Sequence, residues 1–68
     1  MFQAGDIVRV VSEGIFRGQE SEVLKVDPAS NHPRRTKDWY LLAVSHANGV
    51  FHGWFEASEI ELVQAKVL

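Results

Sequence analysis

The stretch from Trp39 to Glu56, WYLLAVSHANGVFHGWFE, constrains the fold most, because two apolar runs flank Asn48-Gly49. Asn and Gly tolerate the positive φ angles that both central positions of a type I′ turn require, so the pair predicts a tight β-hairpin. A two-residue loop there sets Ala47 opposite Val50, His46 opposite Phe51 and Ser45 opposite His52. Side chains alternate along a strand, so two faces follow from that register. One carries Tyr40, Leu42, Val44, His46, Phe51, Gly53 and Phe55; the other carries Trp39, Leu41, Ala43, Ser45, Val50, His52 and Trp54. The first is expected to face the core, since the second would force two tryptophans into the interior of a very small domain.

The remaining strands read from shorter signals. Residues 5 to 11, GDIVRVV, alternate Val8 with Val10 and end at the turn cluster Ser12-Glu13-Gly14. In SEVLKVD the valines Val23 and Val26 are three apart, which breaks alternation and predicts a bulge or bend near Leu24 and Lys25. Asp27 to Lys37 holds both prolines and reads as a loop. After a brief turn at Ala57 and Ser58, Ile60 and Leu62 are expected to join Val8, Val10, Val23 and Val26 in the core.

With 68 residues there is room for one domain with a modest core. The count of zero cysteines removes disulfides, thiolate metal sites and a cysteine nucleophile. The expectation is an all-β fold: a five-stranded SH3-like antiparallel barrel over residues 1–63, with a fraying C-terminal tail over 64–68.

Gly5, Asp6, Val8, Val10, Gly14, Phe16, Gly18, Val23 and Val26 together resemble the KOW motif of NusG-type transcription factors and several ribosomal proteins. Ser21 stands where that family usually has a glycine, and one extra residue precedes Gly14. The resemblance implies a small barrel that contacts RNA or the transcription and translation machinery, here through Arg17, Arg34, Arg35 and Lys37. The GD-x-V-x-V opening, with Phe55, Glu59, Ile60 and Leu62 near the end, is also similar to SH3-like accessory subunits of photosynthetic complexes. That second likeness implies a non-catalytic protein-binding role.

Charge weighs between the two. The net charge is -2, whereas a domain bound through phosphates is usually basic. The aromatic outer face, with Trp39, Leu41, Trp54 and His52, is therefore read as a contact surface for another protein, with RNA binding as the alternative and self-association as a third outcome. The opposing arrangement has the tail residues Val67 and Leu68, or the long loop, folded over the tryptophans.

No catalytic residue, metal ligand or cofactor is assigned. His46 and His52 fall on opposite faces, His32 lies in the proline-containing loop, and Ser21, Ser45 and Ser58 have no visible base partner. No apolar run reaches membrane-spanning length and no signal-peptide pattern opens the chain, so a cytoplasmic location is expected.

Overall fold

The computed structural model describes residues 1–67. Its strands are β1 (Ile7–Val10), β2 (Glu20–Glu22), β3 (Lys25–Asp27), β4 (Trp39–His46), β5 (Gly49–Glu56) and β6 (Ile60–Gln64), with single 3-10 turns at Ala29–Asn31 and Ala57–Glu59. They form two antiparallel three-stranded sheets, ordered β2-β1-β6 and β3-β4-β5. The all-β expectation holds. The five-stranded barrel does not: among the described residues there are six strands, and no continuous ladder closes the two sheets on each other.

The broken alternation explains the extra strand. The chain bends at Val23-Leu24, between β2 and β3, so one anticipated strand serves both sheets. Val23 goes to the core, fully buried, while Leu24 turns outward. On the β2 side of the bend, side chains replace the ladder to β4. The Ser21 hydroxyl accepts the Ala43 amide at 3.1 Å, and the Gln19 side-chain carbonyl accepts the Ser45 amide at 2.6 Å while its NH2 donates back to the Ser45 carbonyl. Ser21, which interrupts the glycine pattern noted above, is thus one of the groups that hold β2 against β4.

The hairpin differs from expectation in a way that leaves its faces intact. Trp39 pairs with Glu56, Leu41 with Trp54, and His46 with Gly49, so the tip is Ala47-Asn48, with Ala47 alone of the two at positive φ (54°). Gly49 already belongs to β5. The register is offset by two residues from the predicted one, which is one full side-chain period. Tyr40, Leu42, Val44 and Phe55 are accordingly buried, beside Val8, Val10, Val23 and Ile60. Phe2, Phe16 and Val26 pack against this cluster, Phe2 meeting Tyr40 edge-on at 5.3 Å.

Three inward assignments are corrected. Phe51 is 53% exposed and His46 is exposed, because the hairpin tip extends past the end of the core. Leu62 is 50% exposed although its partner Val8 is fully buried: β6 is an edge strand, and its pairing with β1 is irregular between Ile7 and Val8. In the β1–β2 connection, Gly14 (φ 140°) and Gly18 (φ 90°) take the left-handed backbone that glycine adopts at least cost, and the Gly18 amide donates to the Val10 carbonyl.

Asp6 fastens both ends of the chain. Its carboxylate accepts the Gln3 amide at 2.8 Å and the Lys66 amide at 2.7 Å. These two amides, that of Gln3 first, hold its pKa below the ordinary 3.8. A group depressed in the folded state contributes fully above its unfolded value and loses that contribution as pH falls through the lower folded value. Asp27, lowered chiefly by Arg35, adds in the same direction. Urea midpoints at pH 7 and at about pH 3 should therefore differ, and Asp6→Asn should narrow that gap by lowering the neutral-pH midpoint.

Candidate functional site

The two sheets present different faces to solvent. On the first, Arg9 of β1 reaches Glu20 of β2 at 2.7 Å and Glu61 of β6 at 3.0 Å, an ordinary charged, hydrated surface. On the second, the β4–β5 hairpin displays Leu41 opposite Trp54, Ala43 opposite His52 and Ser45 opposite Val50, with no charged side chain among them. Trp54 is 43% and Val50 67% exposed, and His52 is exposed. Parity places these side chains together, since each lies on the outer set of its strand.

Trp39 belongs to the same face but is partly covered. The Arg35 guanidinium carbon sits 5.9 Å from its ring centroid, in cation–π range, and its indole nitrogen is buried without a hydrogen-bond partner. Arg35 is held in place by Asp27, at 2.8 Å to its carboxylate, and by the Asp27 carbonyl at 3.3 Å. His32 reaches the same carboxylate at 3.0 Å. The long loop thus folds over one tryptophan and leaves the other open. Val67 is itself 78% exposed, and Leu68 lies outside the described residues. The exposed part of the surface is therefore Val50, His52 and Trp54, with half-buried Leu41 beside them and Trp39 at its covered margin.

The four basic candidates do not form one free patch. Arg17, in the β1–β2 connection, pairs with Glu13, while Arg35 pairs with Asp27 and Lys37 with Glu56 at 3.7 Å. Arg34 alone of the four makes no ion pair among the described residues. The Asp27–Arg35 tie could have been read from an acid and a base bracketing the loop, but only the fold shows that it leans on Trp39.

A shallow cavity of about 440 Å³ opens beside the 3-10 turn at Ala57–Glu59, lined by Thr36, Asp38, Tyr40 and Ser58 among others. Burial, chiefly, pushes the Tyr40 hydroxyl above its ordinary pKa of 10.0. No nucleophile–base pair is formed there. His46 and His52 stand on opposite faces of the hairpin, and no group of three or more His, Asp or Glu among the described residues is arranged to hold a metal ion. No helix among the described residues is long and apolar enough to cross a membrane. Comparison of the chain with protein-family models, with curated proteins and with solved structures finds no match.

Proposed function

We infer that this chain is a small non-catalytic binding module, SH3-like in its layout, that docks another protein on the outer face of its second sheet. The observation that supports this reading is the asymmetry between the two sheets. The first carries an Arg9–Glu20–Glu61 network outward, whereas on the second the charges Lys25, Asp27 and Glu56 stand beside Leu41 and Trp39 at one side and leave Val50, His52 and Trp54 of β5 without a charge among them. Isolated exposed apolar residues are ordinary, whereas a grouped patch centred on a half-exposed tryptophan is a common feature of protein contact sites. Arg35, paired with Asp27, borders the patch where it leans on Trp39, and Arg34, with no ion pair among the described residues, lies in the same loop.

RNA recognition has less support, because three of the four basic side chains it would use are already matched by carboxylates. Capture from native lysate, with and without nuclease, separates the two: a protein partner stays bound after nuclease and changes little with added salt. Trp54→Ser should leave the circular dichroism and cooperative unfolding intact and weaken capture about thirtyfold, as expected for loss of a central aromatic contact. Complete clearance by nuclease, or collapse of the fold in Trp54→Ser, overturns the reading.

A further inference from the structure

β5 is an end strand of its sheet. β4 occupies one side of its backbone from Gly49 to Glu56, and among the described residues no other backbone or side-chain hydrogen bond reaches residues 49–55. An open edge is a template for another strand, and proteins usually blunt it with lysine, proline, a bulge or shortness. The other three outer strands show such devices: β2 and β3 are three residues long and carry charged side chains, and β6 is five residues long, carries Glu61 and pairs irregularly with β1. β5 shows none. It is eight residues long, pairs with β4 without a register break, and contains no Pro, Lys, Arg, Asp or Glu from Gly49 to Phe55.

The sequence of this edge is complementary to itself. A two-fold axis normal to the sheet keeps both outer faces on the same side, so facing residues must share parity. Centring the axis on Phe51 would set Trp54 opposite the tip residue Asn48, and centring it on Gly53 would set Val50 opposite Glu56. Centred on His52, it sets Val50 opposite Trp54 twice over, the two exposed apolar side chains of the outer face covering each other. On the inner side it sets exposed Phe51 opposite Gly53, over which the Phe55 ring lies, so that the two aromatic rings meet there, and Glu56 falls outside the paired segment.

We propose that β5 pairs antiparallel with β5 of a second copy of this chain, about a two-fold axis at His52, fusing two three-stranded sheets into one of six strands. The main-chain hydrogen bonds supply the attraction and the Val50–Trp54 contacts fix the register. The two aromatic patches then lie side by side on one continuous face.

The absence of cysteine makes a single introduced thiol a clean reporter. His52→Cys, at an exposed position, should give a covalent dimer under mild oxidation, since directly opposed residues have Cβ atoms about 4.5–5.5 Å apart and a shift of about 1 Å at this edge brings them to the roughly 3.5–4.5 Å a disulfide spans. Val50→Cys, whose counterpart across the axis is Trp54, should cross-link at least about tenfold more slowly. Sedimentation of the unmodified protein should show a concentration-dependent monomer–dimer equilibrium, and His52→Glu should shift it at least about tenfold toward monomer by opposing two carboxylates. Equal cross-linking at positions 50 and 52, or a monomer at every attainable concentration, overturns the proposal. The pairing and the partner-binding reading share Val50 and Trp54, but their outcomes are distinguishable. A monomer that still captures a protein through Trp54 ends only the pairing, and a dimer that captures nothing ends only the docking.

Discussion

Leu42→Ala is expected to remove about half of the chain's stability, while Leu41→Ala, one residue earlier, leaves it nearly unchanged. Leu42 is fully buried among the valines, Tyr40 and Phe55, and truncating such a leucine costs about 2–5 kcal/mol, because lost transfer energy adds to the cavity left behind. A domain of this size holds only about 3–10 kcal/mol in all, so the loss takes about half of it. Leu41 lies on the outer face opposite Trp54, only partly buried, and the same truncation there should cost within about 1 kcal/mol. Urea unfolding of both variants checks the face assignment. Equal losses would show that the outer face is part of the core.

The double variant Gln19→Ala with Ser21→Ala should lower stability by about 1–2 kcal/mol, more than the charged surface network around Arg9 contributes. Both side chains serve β4 where no strand does: Ser21 accepts the Ala43 amide, and Gln19 takes both polar backbone groups of Ser45. Removing them strands three backbone groups along the middle and end of β4, the half-buried Ala43 amide at greatest cost. Hydrogen exchange supplies the sharper measurement. The amides of Ala43 and Ser45 should lose protection in the double variant while those of the β1–β2 ladder keep theirs.

How much of this was legible depends on how local each determinant is. The two faces of the hairpin were, because they depend only on parity: the tip lies at Ala47-Asn48 rather than at Asn48-Gly49, yet an offset of two returns every side chain to its side. The bend at Val23-Leu24 also showed, as an interruption of alternation. The number of sheets did not, since whether β2 meets β4 through a ladder or through the Gln19 and Ser21 side chains is decided between residues more than twenty positions apart. Nor did the exposure of Phe51 and Leu62, which follows from how far the hairpin tip and the outer strand extend beyond the core. In the candidate site, Trp54 and His52 could be placed outward from spacing alone, whereas the covering of Trp39 by Arg35 required the path of the whole loop.

The double use of Asp6 has a topological consequence. One carboxylate that receives the amides of both Gln3 and Lys66 brings the start and the finish of the folded path beside each other. A unit of that kind can be spliced into a host protein's surface loop as a cassette. Equally, a short linker could join its ends and new ones be opened at Ala47-Asn48, giving a circular permutant with every strand pairing retained.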